Sequence, residues 1–185
     1  MSDTSWHHPG ADSGGFVPLE AVQESARNLS KEQFLEEFPV PALLVIYREP
    51  DASKSGALDP SSQGVQLLTV SIKSAAILRY LNRVAFVCKR PGNPFAHLIS
   101  IGRSASNDIS IAVDSVSKVH GYFASAEDGW QFTDHSSTNG SLLNDTPLDA
   151  GQKHVLADGD LLQLGLEVTL EYYSPERLYE RAIGA

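Results

Sequence analysis

The spacing of hydrophobic and polar positions predicts one short helix early in the chain and another at its end. In residues 28–38 (NLSKEQFLEEF), Phe34, Leu35 and Phe38 have the i, i+1 and i+4 spacing of one helical face, which predicts a helix with one buried side. Ser30, followed three residues later by Gln33, forms a capping-box pattern, and Pro39 stops the helix. Residues 174–182 (SPERLYERA) begin with a serine N-cap and a proline, which predicts the final helix.

Apolar runs of strand length lie between these helices. They are PALLVIY (41–47), VQLLTVSI (65–72) and VAFVCKR (84–90), whereas the polar run 48–64 is rich in turn formers and predicts a loop. Residues 74–83 (SAAILRYLNR) fit either a strand or a helix, and the helical interpretation is preferred.

After residue 90, short strand patterns alternate with turn signals at close spacing. The strand patterns are HLISIGR, DISIAV, KVHGYFA, GWQFTD, GSLLN, HVLA, LLQLG and VTLEYY, separated by turns such as AEDG, STNG and ADGD. This alternation is typical of an all-β sandwich or barrel. Because a sandwich gathers its loops at its two ends, residues far apart in the sequence can meet there.

Charge is distributed unevenly along the chain. Residues 98–172 contain 3 Lys or Arg and 11 Asp or Glu, a net charge of −8 out of −9 for the whole sequence. This negative field repels nucleic acid and favours partners with basic residues near the contact.

No apolar run reaches the ~20 residues that span a membrane. The single cysteine, Cys88, fits a reducing compartment, and no signal peptide is evident, so the expected location is cytoplasmic.

Donor side chains lie in three separate loops of this acidic segment. Arg103 follows a predicted strand, Ser117 and Lys118 precede another, and Thr138 and Asn139 lie in the turn HSSTNG. Together these groups can donate hydrogen bonds to an oxyanion such as phosphate, and no dedicated base accompanies them. Taken singly, each feature is weak, because a lone arginine is usually solvated and Asn-Gly is an ordinary hairpin turn.

Taken in order and spacing, four motifs carry a family resemblance. GRSASND, VSKVH, TDHSSTNGSLLN and LADGDLLQLG resemble the forkhead-associated (FHA) domain over roughly residues 84–173. The resemblance implies a mainly β fold, an FHA-type sandwich of about eleven strands. Around it we expect a disordered tail (1–27), an N-terminal α/β extension of unknown role (28–83) and a C-terminal helix (174–185).

The resemblance also implies a function. FHA domains read phosphothreonine in partner proteins, so we expect a non-catalytic signalling module without a cofactor or metal. The expected partner is a phosphothreonine-containing protein, such as a Ser/Thr kinase or its substrate, with basic residues near the site. Neither nucleic acid nor a membrane is expected as a partner.

By this resemblance, Arg103, Ser117 and Thr138 contact the phosphate directly. Lys118 stands where the family often has Arg or Asn, and it could add a second positive charge. Asn139 matches the residue that bonds the peptide backbone beside the phosphothreonine.

Further residues are expected to shape the loops, namely Gly102, His120, Ser137 and Gly140. Gly102 allows a close backbone approach, and Gly140 suits a turn that needs positive φ. His120 is interpreted as structural, and Asp134 as an acceptor for the turn that follows it. Ser115, Ser137 and Asp114 lie near enough to influence which residues are preferred beside the phosphothreonine.

Other functions fit the sequence less well. Ser117, His120 and Asp134 could form a hydrolytic triad, but no nucleophile elbow accompanies them. His7 and His8 lack further metal ligands. The main alternative is a structural or assembly module that uses the sandwich surface without phosphate. A separate unit in the first 80 residues would be a third, although no catalytic constellation is present there.

Overall fold

The computed structural model describes residues 8–48, 75–90, 93 and 97–184. The helices in this part of the chain are α1 (Leu19–Asn28), α2 (Lys31–Glu37) and α3 (Pro175–Ile183), and residues 75–78 are also helical. The twelve strands are β1 (Phe16–Pro18), β2 (Ala42–Ile46), β3 (Arg83–Phe86), β4 (Ile99–Gly102), β5 (Ile109–Ser110), β6 (Gly121–Ala126), β7 (Gly129–Asp134), β8 (Ser141–Leu143), β9 (Thr146–Pro147), β10 (Lys153–Val155), β11 (Leu161–Leu164) and β12 (Val168–Tyr173).

The strands form two sheets. The first has the order β1-β3-β2-β12-β11-β8-β9, and the second has the order β10-β7-β6-β4-β5. Neighbouring strands are antiparallel, except that β4 and β5 are parallel. The predicted fold class, a mainly β sandwich with a C-terminal helix, is confirmed.

A hydrophobic core fills the space between the sheets. Because side chains alternate across a strand, Leu43 and Val45 of β2 point into this core together with Phe123 and Phe132 from the second sheet. All four side chains are essentially inaccessible to solvent. Packing of the two inner faces fixes the strand register, and this determines where each loop leaves the sandwich.

The first sheet is covered on its other face by the three helices. Ala42 and Leu44, which alternate with the inward residues of β2, pack there against Phe34 of α2 and Leu178 of α3. Ser30 caps α2 through the predicted capping box with Gln33. Since this part of the sheet is buried on both faces, β2 (ALLVI) is continuously apolar.

The N-terminal region differs from the prediction in two respects. Helix α1 and strand β1 lie in residues predicted as a disordered tail, so that prediction is wrong for residues 16–27. The apolar face of α1, including Val22 and Ala26, is buried in the outer core, which holds the helix in place. In addition, β2 pairs with both β3 and β12, so the sheet begins well before residue 84.

Some of the remaining predicted elements match the structure, and others lie outside the residues that it describes. Strand 41–47 and the helix at 174–182 correspond to β2 and α3, and residues 75–78 are helical, as preferred for that segment. Apart from Arg48, the predicted loop at 48–64 lies outside the described residues, as does the predicted strand at 65–72. Among the described residues, no helix is long and apolar enough to cross a bilayer.

Candidate functional site

Three loops meet at one end of the sandwich because the strands that carry them are neighbours. Ile101 of β4 pairs with Gly121 of β6, and Gly121 pairs with Asp134 of β7. The loops that follow β4, precede β6 and follow β7 therefore begin or end at the same end of these three strands. They surround a depression of about 530 Å³. Its lining residues are Arg103, Asp114, Ser115, Val116, Ser117, Lys118, Val119, Ser136, Thr138 and Asn139.

Arg103 is held against the neighbouring loop by its backbone and by one nitrogen of its side chain. Its N–H donates to the Ser117 carbonyl at 2.8 Å, and its Nε donates to the Val116 carbonyl at 3.2 Å. A terminal nitrogen lies 3.4 Å from the Asp114 carboxylate, and 41% of the side chain remains exposed. The guanidinium is thus fixed in direction but open to a ligand.

Ser117 and Thr138 join two of the loops directly. The Thr138 N–H donates to Ser117 Oγ at 2.9 Å, and that hydroxyl donates to Thr138 Oγ1 at 3.3 Å. Because a hydroxyl rotates freely, the Ser117 proton can turn to an incoming anion without disturbing the backbone bond. The predicted pair of hydroxyl contacts is therefore brought together in space.

Lys118 and Asn139 occupy different positions at the depression. The Lys118 side chain is exposed, while its carbonyl accepts hydrogen bonds from the Ser104 N–H and from Asn107 Nδ2. Asn139 is also exposed, but its amide donates to the Ser115 carbonyl at 2.8 Å. In this state Asn139 holds the adjacent loop in place.

His120 links the loops to the core. Its Nδ1 accepts from the Ser117 N–H at 3.1 Å, so Nε2 carries the proton that faces the Gly140 carbonyl and Ser141 Oγ, each at 3.2 Å. The ring is fully buried. Burial lowers the pKa of His120, and this outweighs the opposite effects of the Asp134 charge and the Gly140 carbonyl. A buried, neutral His120 ring with its proton on Nε2 is consistent with a structural role for this residue.

Asp134 organises the turn that carries Thr138. Its carboxylate accepts from the Ser137 N–H at 2.8 Å, from the Ser137 hydroxyl at 2.7 Å and from the Ser141 hydroxyl at 2.5 Å. Burial alone would raise the pKa of Asp134, but these hydrogen bonds and nearby His120 hold that pKa below its ordinary value. An ionised acceptor thus fixes the start of the turn.

The two predicted glycine roles correspond to distinct local geometries. A Cβ on Gly102 would lie 2.6 Å from the Lys118 carbonyl oxygen and 2.9 Å from the His120 nitrogen. This crowding explains why a glycine precedes Arg103, since a side chain would push the two loops apart. Gly140 instead has φ +73°, a conformation that favours glycine.

The geometry does not support a hydrolytic triad at Ser117. The Ser117 backbone, rather than its hydroxyl, contacts His120, and the hydroxyl faces Thr138. Ser141 does contact both His120 and Asp134, but it is buried and inaccessible to a substrate. In the described part of the chain, no three His, Cys, Asp or Glu residues are grouped so that they could hold a metal ion.

Some supporting residues had no defined role from the sequence alone. Asn107 is buried and donates through Nδ2 to the carbonyls of Ser104 and Lys118, which ties the loop after β4 to the loop before β6. Gly165, after β11, donates its N–H to the Gly140 carbonyl. Both residues belong to quoted motifs (GRSASND and LADGDLLQLG), but the motifs alone do not indicate these contacts.

A comparison with protein-family models identifies the segment that carries these loops. Residues 99–165 match the model of the FHA domain. The loops around the depression therefore lie in a segment that is similar to FHA domains. The match begins at β4 and ends just after β11, so it contains every residue that lines the depression.

The solved structures that match this chain include FHA domains. The FHA domain of a hypothetical protein from Arabidopsis thaliana has a TM-score of 0.46 and 21% identity, and the match covers 73% of this chain and 85% of that one. The N-terminal FHA domain of Rad53p from S. cerevisiae, in complex with a phosphothreonine peptide, has a TM-score of 0.44 and 18% identity, with 77% and 98% covered. A search of curated proteins gave no match.

Proposed function

We propose that this FHA domain binds phosphothreonine in a partner protein and performs no catalysis. The observation that carries the proposal is the convergence of donors from three loops on one depression. Arg103 supplies a guanidinium, Ser117 and Thr138 supply hydroxyls, and Lys118 supplies an exposed ammonium. Asn139 is proposed to bond the peptide backbone after its amide leaves the Ser115 carbonyl.

The proposed chemistry fits a doubly charged, tetrahedral group. A phosphothreonine carries about −1.5 to −2 charge at pH 7 and presents three acceptor oxygens. Hydrogen bonds to charged groups contribute roughly 1.5–3 kcal/mol each, and part of this is lost to ordering of the ligand. A net affinity of order micromolar, about −8 kcal/mol, is therefore expected. Such reversible binding suits signalling.

The negative charge of the domain favours partners with basic residues near the phosphothreonine. With a net −8 over residues 98–172, the domain should favour phosphothreonine segments that contain Lys or Arg. A Ser/Thr kinase or one of its substrates is the partner class proposed. The single cysteine, Cys88, is buried and favours a reducing compartment such as the cytoplasm.

The proposal is tested with a degenerate phosphothreonine peptide library, followed by calorimetry on the enriched peptide. We expect the wild-type chain to bind that peptide and not its unphosphorylated form. Arg103→Ala should weaken binding by ~100-fold or more, because a bidentate charged contact is lost. Arg177→Ala is the matched control, since this exposed arginine lies on α3 and does not line the depression.

Two results would contradict the proposal. One is unchanged affinity in Arg103→Ala with the fold intact. The other is equal binding of phosphorylated and unphosphorylated peptides, which would favour the alternative of a phosphate-independent assembly module. A circular dichroism spectrum of each variant separates loss of the site from loss of the fold.

A further inference from the structure

Asp114 places a carboxylate inside the depression, beside the guanidinium proposed to bind phosphate. The nearest Arg103 nitrogen lies 3.4 Å from Asp114 Oδ1, and the Asp114 side chain is fully exposed. Strong charge-assisted hydrogen bonds are about 2.7–2.9 Å long. This ion pair is therefore loose and solvated, and such pairs contribute little to stability. A phosphate dianion can displace the carboxylate from Arg103.

The displaced carboxylate cannot move far from the site. Asp114 lies between Val113 and Ser115, and both of these residues are buried. The Val116 N–H closes the local turn with a bond to the Val113 carbonyl at 3.0 Å. Only the Asp114 side chain is therefore free to rotate, so its charge stays at the edge of the depression while a ligand is bound.

When a phosphothreonine is bound, the charges at the depression leave the Asp114 carboxylate without a counterion. Arg103 and Lys118 are its cationic lining residues, and Asp114 is its anionic one. A bound phosphothreonine, with a charge of about −2, would engage both cations. Asp114 would then repel the phosphate unless the ligand itself supplied a positive charge. A lysine or arginine of the ligand can form the ion pair that Arg103 has released.

From this geometry we propose that Asp114 is a specificity-determining residue. It makes the domain prefer phosphothreonine segments that carry Lys or Arg within reach of the Asp114 carboxylate. This inference rests on the proposed phosphothreonine binding and adds a named residue to it. It differs from a general effect of the acidic surface, because one side chain should account for most of the preference.

The experiment compares wild type with Asp114→Asn and with a matched control, Asp128→Asn. Both substitutions remove one negative charge, but Asp128 lies in the turn between β6 and β7, at the opposite end of these strands from the site. The degenerate phosphothreonine library first locates the position of basic preference. Calorimetry then uses three peptides that differ only there, with Lys, Ala or Glu.

We expect wild type to bind the Lys peptide roughly tenfold more tightly than the Glu peptide at physiological ionic strength, because the two charges lie close in a partly screened site. In Asp114→Asn this ratio should fall to about threefold or less, chiefly through tighter binding of the Glu and Ala peptides. Asp128→Asn should retain the wild-type ratio. Asp114→Glu, which restores the charge, should retain most of it.

Three outcomes would overturn the inference in distinguishable ways. If Asp114→Asn keeps the wild-type Lys-to-Glu ratio while Arg103→Ala abolishes binding, Asp114 does not determine specificity and the proposed function stands. If no phosphothreonine peptide binds in an Arg103-dependent manner, the proposed function is wrong and this inference fails with it. An equal fall of the ratio in Asp114→Asn and Asp128→Asn would assign the preference to overall charge instead.

Discussion

His120 shows how a single residue couples the hydrophobic core to the loops. One ring nitrogen accepts from the Ser117 backbone, and the other faces Gly140 and Ser141, so both loops depend on one neutral imidazole. Protonation would convert the accepting nitrogen into a donor and leave two N–H groups facing each other. The charged form is disfavoured for this reason as well as by burial.

This arrangement predicts a pH-dependent stability. Because burial lowers the pKa of His120 below 6.5, the unfolded chain binds this proton more readily than the folded protein. The contribution of the neutral ring is complete above the unfolded pKa and is lost as the pH falls through the folded pKa. We expect the free energy of unfolding to decrease below pH 6.5, and to decrease less in His120→Asn.

Urea denaturation at a series of pH values measures this difference. His135→Asn, at an exposed histidine on the turn, is the matched control. Parallel pH profiles for wild type and His120→Asn would refute the assignment. A further decrease in the free energy of unfolding is expected below pH 3.8 and has a different cause. The pKa of Asp134 is lowered in the folded protein, so protonation of this carboxylate favours the unfolded chain.

Among the secondary-structure elements, helix α3 illustrates how a terminal segment is attached. Ser174 caps it, and the Asp158 carboxylate accepts hydrogen bonds from the Ser174 N–H and hydroxyl. Leu178 and Ala182 are buried in the core between the helices and the first sheet. The helix is therefore part of the packed structure, on the side of the sheet away from the inter-sheet core.

Removal of the Leu178 side chain should destabilise the protein without altering the site. Leu178→Ala leaves a cavity in a packed region, and a loss of about 2–5 kcal/mol in the free energy of unfolding is expected. Glu176→Ala, at an exposed position on the same helix, should change stability by less than about 0.5 kcal/mol. Urea denaturation gives both values. A loss equal to that of the control would show that α3 is not packed as described.

For the whole molecule, the folding unit is larger than the segment that carries the family motifs. The family model matches residues 99–165, yet β2 is inserted between β3 and β12 in the first sheet. Helices α1 and α2 cover the same sheet. The segment that matches the FHA model is thus packed against strands and helices that precede it in the sequence.

A fragment that starts at residue 84 should therefore not fold. It lacks β1, β2, α1 and α2, which leaves the edge of β12 unpaired and one face of the first sheet exposed. We expect a collapsed amide region in its proton–nitrogen NMR spectrum. A chain of residues 8–185 should keep the dispersed spectrum of a folded protein. Dispersed signals from residues 84–185 alone would contradict this view.

The sequence by itself determined the elements with strong local signals. The Ser30 and Ser174 caps marked helix starts, and alternating apolar residues marked most strands, because these preferences depend on near neighbours. Leu19, Val22 and Ala26 of α1 also recur at helical spacing, but this short helix is held in place by tertiary packing in the outer core, which local sequence does not indicate. The five candidate ligand-binding residues were identified by motif order.

Only the tertiary structure decided how these parts meet. Strand pairing across long sequence separations placed β2 inside the first sheet and brought Ser117 to within hydrogen-bonding distance of Thr138. It also paired the Asp114 carboxylate with the Arg103 guanidinium, a contact that the sequence does not specify. Local patterns fix the conformation of a segment, whereas the position of a charge relative to a distant loop depends on the packing of two sheets.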